Sequence, residues 1–137
     1  MRKFFSRFVI ISFLSLMLAA CGGAVQDIAP ATSLSVEMSE FKFSPASMLV
    51  VAGQEITLDL RNDGAIEHEF TILKKGVTAQ IPFDREKQAA DILVEYTLGA
   101  NKNAQFKFTL PDAGEYQVIC GIQGHMEAGM VATLTAK

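Results

Sequence analysis

The sequence predicts an all-β domain, built as a β-sandwich or barrel of roughly seven or eight short strands with one short helix. Three observations support this. Apolar and polar residues alternate over several short runs, glycine, proline, asparagine and aspartate separate those runs, and the chain contains no internal repeat. At 137 residues with 50% hydrophobic content, the chain suits one globular domain plus a short appendage.

The first predicted strands lie between residues 34 and 61. Residues 34–38 alternate, Phe41 and Phe43 alternate around Lys42, and residues 48–52 are apolar and β-branched. Residues 55–61 alternate most regularly, so the pattern predicts one buried and one exposed face for this strand.

A turn at residues 62–64 separates this strand from one that begins near His68. Alternate residues of a strand point the same way, so His68, Phe70 and Ile72 are expected on one inward face. An inward histidine is more often a hydrogen-bonded core residue than a ligand, and only a second group of ligand residues changes that interpretation.

Residues 74–103 form an insertion with a weak pattern. Asp84 is a candidate helix cap, and residues 85–94 are interpreted as the short helix. A polar turn at 99–103 follows.

The C-terminal third predicts three more strands. Phe106, Phe108 and Leu110 alternate with polar residues, residues 115–120 form a strand that ends on an inward Cys120, and residues 130–135 close the domain.

The N-terminus has the pattern of a bacterial export signal. Basic residues precede an apolar run that is too short to span a bilayer comfortably, and the run ends at Leu18-Ala19-Ala20-Cys21. This ending resembles the lipobox of lipoproteins, in which the cysteine becomes the lipidated first residue. We therefore expect a signal peptide at 1–20, a lipid-anchored linker at 21–33 and a domain at 34–137, exported to the periplasmic side of the membrane. A plain signal peptide and an uncleaved anchor are the alternatives, and both leave the domain on the same side.

Charge excludes one class of partner. Three of the twelve basic residues and none of the fifteen acidic residues lie in the first twenty positions, so the remainder has a net charge of −6. No basic stripe remains for nucleic acid, and an acidic surface permits steering toward a basic partner.

Soft metal ligands are concentrated in one stretch, residues 120–130. Cys120, His125 and Met130 follow one another with four residues between each pair, and His68 is the other histidine of the chain. One thiolate, two imidazoles and a thioether are the ligand set of a blue-copper site. If Cys21 is lipidated, Cys120 has no disulfide partner, and ligation would protect a lone exported thiol from oxidation.

Other interpretations of these residues are weaker. Met126 is a rival thioether, although its place beside His125 suits an apolar rim where a partner would dock. Structural zinc usually takes four strong ligands and three are present here, and a Cys/His nucleophile gives Met130 no role. Two histidines cannot supply a second, catalytic copper, so no enzyme activity and no small-molecule substrate are expected.

These residues resemble the cupredoxins, the blue-copper family that includes plastocyanin, azurin and auracyanin. The resemblance covers residues 34–137 and rests on Asn62 and Gly64 before His68, on Ala113-Gly114-Glu115-Tyr116 before Cys120, and on Gly124-His125 followed by Ala128-Gly129-Met130. It implies a Greek-key β-sandwich, one type 1 copper ion, His68, Cys120 and His125 as strong ligands, and Met130 as the weak axial ligand. Many members have asparagine after the first histidine, whereas this chain has Glu69.

The resemblance also implies a role. We expect a membrane-anchored carrier of single electrons between redox proteins, such as c-type cytochromes or a terminal oxidase, with His125 as the exposed edge through which the electron passes. Delivery or buffering of copper is the alternative, and a purely structural sandwich is the third hypothesis.

Overall fold

The computed structural model describes residues 29–137. The predicted signal at 1–20, the lipidation site Cys21 and most of the predicted linker lie outside the described residues, so their assignments stay predictions. The chain is already paired with the domain at Ala31, which forms a parallel bridge to Val50.

The described residues form nine strands and one short helix. The strands are β1 (Ser33–Ser39), β2 (Lys42–Ser44), β3 (Ser47–Val50), β4 (Glu55–Asn62), β5 (His68–Leu73), β6 (Ile92–Leu98), β7 (Lys102–Thr109), β8 (Gly114–Ile119) and β9 (Val131–Ala136). The helix α1 spans Arg85–Gln88 and continues into a 3₁₀ turn at Ala89–Asp91.

The strands form two sheets, which confirms the predicted Greek-key β-sandwich. One sheet has the order β2-β1-β4-β7 and the other has the order β3-β9-β8-β5-β6. The pairs β1/β4 and β3/β9 are parallel, and all other neighbours are antiparallel. The inward residues of both sheets form the main hydrophobic core.

Strand β4 has the alternation that the sequence predicts. Ile56, Leu58 and Leu60 are buried in the core, while Asp59 and Arg61 face solvent. One face of the four-stranded sheet is therefore packed and the other is open to water, a pattern that sheets with antiparallel pairs allow.

Strand β5 is different because all six of its residues are buried. Phe70 and Ile72 pack in the main core, whereas Leu73 belongs to a second cluster with Ala79, Ile119 and Met126. Residues 74–91 lie over the outer face of β5 and β8, where the amide of Ala79 donates to Gln117 Oε1 at 2.7 Å. The five-stranded sheet is thus covered on both faces around β5.

The helix prediction for residues 85–94 is correct at its start and wrong at its end. Asp84 does cap α1, since its side chain accepts a hydrogen bond from the amide of Lys87. Helical structure ends at Asp91, and Ile92–Leu98 is a strand that the sequence analysis missed. Pairing with β5, which sets Val94 opposite Ile72 and Tyr96 opposite Phe70, determines this segment, and its β-branched and aromatic residues fit a strand better than a helix.

The strand predicted from the alternation of Phe41 and Phe43 around Lys42 is also wrong in part. Phe43 is buried in the core, but Phe41 lies in the turn between β1 and β2 with φ of 60° and is 40% exposed. The turn reverses the chain between two antiparallel strands, and this moves Phe41 out of the alternation.

No helix among residues 29–137 is long and apolar enough to cross a membrane.

Candidate metal centre

The four residues predicted as metal ligands come from one end of the five-stranded sheet. His68 begins β5, Cys120 follows the last residue of β8, and Met130 precedes the first residue of β9. These three strands are neighbours in the order β9-β8-β5, and adjacent antiparallel strands bring the end of one beside the start of the next. The sheet topology therefore places ligands that are distant in sequence at the same end of the sheet, which forms the ligand pole of the domain.

Backbone hydrogen bonds fold residues 120–130 into a closed loop. The amide of Cys120 donates to the carbonyl of Met130 at 3.1 Å, and the amide of Met130 donates to the carbonyl of His125 at 3.0 Å. Gly124 and Gly129 have φ of 85° and 103°, in the left-handed region that glycine adopts without a steric penalty. The loop holds its three candidate ligands through its own main chain.

Three ligand atoms converge at this pole. The Nδ1 atoms of His68 and His125 are 3.2 Å apart, and Cys120 Sγ is 3.3 Å from His125 Nδ1. One ligand atom from each of the three residues lies within 4.8 Å of those of the other two, and all three residues are buried. Nitrogen atoms that share one first-row metal ion through bonds of about 2.0 Å have a similar separation.

Met130 is fully buried beside this group, and its main chain forms hydrogen bonds with the main chains of Cys120 and His125. The rival thioether, Met126, is only 4% exposed and packs in the second cluster with Leu73 and Ile119. The interpretation of Met126 as part of an exposed rim is therefore wrong, because residues 74–91 cover it.

The thiol of Cys120 lies in a dry environment. Burial raises the pKa of Cys120, and the amide of Glu69, which donates to Sγ at 3.3 Å, acts in the opposite direction. Without a metal the neutral thiol is thus favoured. If a metal ion were held there, Cys120 would bind it as the thiolate, and the Glu69 amide would still point at the sulfur.

The far side of the His68 ring faces a closely packed turn. A Cβ at Gly64 would lie 2.9 Å from His68 Nε2, 2.8 Å from Glu40 Oε1 and 3.0 Å from Asn62 Oδ1. Only glycine fits this position without displacing its neighbours. Within the described part of the chain His68 Nε2 has no hydrogen-bond partner.

Burial is also the main reason why the pKa of His68 lies below its usual value of 6.5. The nearby His125 lowers this pKa further, whereas the Glu40 carboxylate opposes the shift. The neutral ring is the form that binds a metal ion, so burial favours the state that ligation needs.

Asn62 fixes the turn that contains Gly64. Its side chain accepts from the amide of Gly64 at 2.9 Å and donates to the carbonyls of Ile66 at 2.8 Å and Leu98 at 2.9 Å. This buried amide joins the end of β4, the turn and the end of β6, and so connects the two sheets beside His68.

Two aromatic contacts complete the pole. The ring of Phe41 meets the His125 ring edge to face with centroids 5.2 Å apart, and the two imidazole centroids are 5.0 Å apart. The expected exposure of His125 is wrong, because this residue is only 8% exposed and Phe41 forms the outer surface at this point. The alternation of Phe41 with Phe43 concealed this role, and no sequence signal marked the positive φ of Phe41.

The donor set fits copper. One thiolate and two imidazoles at a buried site suit both Cu(I) and Cu(II), whereas closed structural zinc sites take four strong ligands. His68, Cys120 and His125 are the residues that the sequence analysis named as strong ligands, and the fold brings them together.

Comparisons with known proteins agree with this chemistry. The family model for the cupredoxin-like domain matches residues 8–132. Auracyanin-A of Chloroflexus aurantiacus is 26% identical over 85% of this chain and 86% of its own length. The copper-resistant cuproprotein CopI of Rubrivivax gelatinosus is 32% identical over 77% of this chain and 66% of its own length.

Among solved structures, auracyanin B superposes with a TM-score of 0.67 at 24% identity, over 81% of this chain and 92% of that one. The family match covers most of the sequence, and the buried donor set meets the requirements of the family's metal. This chain belongs to the cupredoxin family, and copper is its cofactor.

Proposed function

We propose that this protein is a type 1 copper electron carrier, with His68, Cys120 and His125 as strong ligands and Met130 as the weak axial ligand. The main support for this proposal is the convergence of two imidazole nitrogens and one sulfur, from three buried residues, within 4.8 Å of one another. Copper supplies the one-electron chemistry when it is bound there. The protein contributes a stiff set of ligands that changes little between the two oxidation states.

Several contacts support this stiffness. The ligand loop is closed by main-chain bonds between Cys120 and Met130, and the Asn62 side chain holds the turn beside His68. Both faces of β5 are packed, so the strand that begins at His68 cannot shift without disturbing a core.

Two exposed apolar side chains beside the proposed ligands suit contact with a redox partner. Phe41 and Ile66 are 40% and 42% exposed and lie in the turns that border His125 and His68. Phe41 contacts the His125 ring directly, so this edge is where an electron would pass. The partner would be a redox protein, such as a c-type cytochrome or a terminal oxidase, and the carrier would have no catalytic turnover.

The charged residues near this pole are mostly acidic. Glu40, Asp63, Glu67 and Glu127 are exposed in the turns and loop around the ligands. A basic partner would therefore be attracted, and the association rate should fall as ionic strength rises.

The test is the visible spectrum and reduction potential of residues 22–137 loaded with Cu(II). We expect an intense sulfur-to-copper absorption that disappears in Cys120→Ser, and a reversible one-electron couple. Met130→Leu should shift the potential and alter the spectrum, whereas Met126→Leu is the matched control that replaces a buried thioether packed in the second cluster. A colourless protein with ordinary tetragonal copper signals would refute the proposal.

Copper delivery or buffering is the second candidate, and the 32% identity to a copper-resistant cuproprotein favours it. A delivery protein must release its metal readily, yet all three strong ligands here are buried. Transfer of copper to a soluble chelator measures the difference. Loss within seconds would favour delivery, and retention for hours together with a reversible couple would favour electron transfer.

We also propose that the protein is exported and held on the membrane by a lipid on Cys21, with the domain on the periplasmic side. The Leu18-Ala19-Ala20-Cys21 pattern supports this. Mass spectrometry of the mature N-terminus should find acyl chains on Cys21, and Cys21→Ser should release the protein from membranes. An unmodified N-terminus elsewhere in the chain would refute the anchor.

A further inference from the structure

A chain of ion pairs lies directly outside the ligand strand. Glu69 follows His68 in β5, and its carboxylate accepts from Arg85 Nη2 at 2.5 Å. The other arm of Arg85 donates to the carboxylate of Glu95 in β6. The Glu69 side chain is 12% exposed, so this is a partly buried pair, unlike the exposed pairs of the four-stranded sheet.

The pair rests on the residue that follows the Cys120 ligand. A Cβ at Gly121 would lie 2.8 Å from both Arg85 Nη2 and Glu69 Oε2, and 3.1 Å from a ring carbon of Phe83. Position 121 must therefore be glycine for the guanidinium and the carboxylate to pack against the backbone of the ligand loop. The main chain of the same Glu69 donates its amide hydrogen to Cys120 Sγ at 3.3 Å.

Arg85 is itself held in place by the covering segment. It is the first residue of α1, which Asp84 caps, and Phe83 packs against the second cluster. The guanidinium thus reaches Glu69 from a segment that is anchored independently of the metal ligands.

We infer that Arg85 is a positioning residue of the copper centre. It holds the Glu69 carboxylate against Gly121, and this contact keeps the Glu69 amide directed at Cys120 Sγ. The inference rests on the proposed copper site for its electrochemical consequence, but not for its structural one. It gives residues 74–91, which contain none of the proposed ligands, a part in supporting the site.

Loss of Arg85 should have two effects of the same sign. A weaker hydrogen bond to the thiolate leaves more electron density on the sulfur and stabilises Cu(II). The carboxylates of Glu69 and Glu95 would also lose the positive charge between them, and uncompensated negative charge near the site favours the more positive metal ion. Both effects lower the reduction potential.

The experiment compares Arg85→Met with Lys87→Met. Lys87 lies on the same helix and bears the same charge, but its side chain is 82% exposed and pairs with Asp84. Two kinds of measurement are made: the reduction potential and absorption band of the copper-loaded proteins, and the hydrogen exchange of the Glu69 amide in the metal-free proteins.

For Arg85→Met we expect a lower potential, a shifted absorption band, and exchange at the Glu69 amide faster by on the order of tenfold. Lys87→Met should change none of these. Glu95→Gln removes only the carboxylate that holds the other arm of Arg85, so it should accelerate amide exchange by a smaller factor than Arg85→Met. If Arg85→Met does not fold, faster exchange in Glu95→Gln supports the inference and unchanged exchange contradicts it.

Two results would overturn the inference. One is equal behaviour of Arg85→Met and Lys87→Met. The other is a lower potential with unchanged amide exchange, which would mean that Arg85 acts on the copper only through its charge and does not position Glu69. If the unaltered protein binds no copper, the proposed function fails, while the exchange of the metal-free proteins still tests the positioning role.

Discussion

Strands β4 and β5 are both central in their sheets, yet their surroundings differ. β4 has one packed face and one face of exposed charges, whereas β5 is buried on both faces. The cover over β5 comes from residues 74–91, and the open face of β4 instead has ion pairs at the surface, such as Lys107 with Glu55.

The two sheets contribute differently to the proposed metal site. His68 lies in β5 of the covered sheet, and the other three proposed ligands lie in the loop that joins β8 to β9. The four-stranded sheet contributes close packing from its turns, through Phe41 on His125 and Gly64 beside His68. The proposed metal site thus lies at the end of the strand that is packed from both sides, which is the setting that a rigid site requires.

The largest expected change in stability tests whether the side chains on the outer face of β5 are packed as a hydrophobic core. Leu73→Ala should lower the free energy of unfolding by about 2–5 kcal/mol, because Leu73 is fully buried in the second cluster. The matched control is Leu49→Ala, whose side chain is only half-buried on edge strand β3, and it should cost about 1 kcal/mol. Urea unfolding of the metal-free protein measures both. Equal costs would mean that residues 74–91 do not form a packed cover.

The next effect tests the contribution of the four-stranded sheet. Gly64→Ala should destabilise the protein by about 1–3 kcal/mol and weaken copper binding, because the added methyl group meets three polar atoms within 3.0 Å. At Gly99, where an added Cβ would find its nearest neighbour at 3.9 Å, the same substitution should be nearly neutral. Calorimetry and a copper titration provide the measurements, and a neutral Gly64→Ala would show that this turn can move away from His68.

The third effect concerns the inward face of β5. The pKa of His68 is lowered from 6.5, chiefly by burial. As the pH falls, His68 is therefore protonated in the unfolded chain before it is protonated in the folded protein. Stability from this residue is complete above about pH 6.5 and is lost as the pH falls toward the lower folded pKa. Urea unfolding of the metal-free protein between about pH 7.5 and 5.5 should show this decline. His68→Gln should flatten the decline, and an equal slope in that variant would assign it to other groups.

The smallest effect has the opposite sign. Thr71 is fully buried on the outer face of β5, and its hydroxyl has no hydrogen-bond partner among residues 29–137. Thr71→Val keeps the shape and removes an unpaired polar group, so it should stabilise the protein by up to about 1 kcal/mol. Thr57→Val on the open face of β4 is the control and should change stability by less than about 0.5 kcal/mol. Destabilisation by Thr71→Val would indicate that the hydroxyl binds an ordered water.

The comparison of β4 with β5 also explains which parts of the fold the sequence predicts. Alternation revealed β4 and the inward face of β8, because each has one packed side and one more open side. It did not reveal the strand Ile92–Leu98, whose pairing with β5 is a long-range contact that local pattern does not encode.

By itself the sequence determined the chemistry of this protein. A single thiol in a loop with a histidine and a methionine, together with one other histidine, already names a soft metal site, because ligand type and spacing are properties of the chain. Tertiary structure alone decided how the site is enclosed. Phe41 covers His125, Met126 packs in the second cluster, and Arg85 reaches Glu69 from the segment that covers β5. Each of these contacts joins segments that are separated in the sequence and meet only in the folded protein.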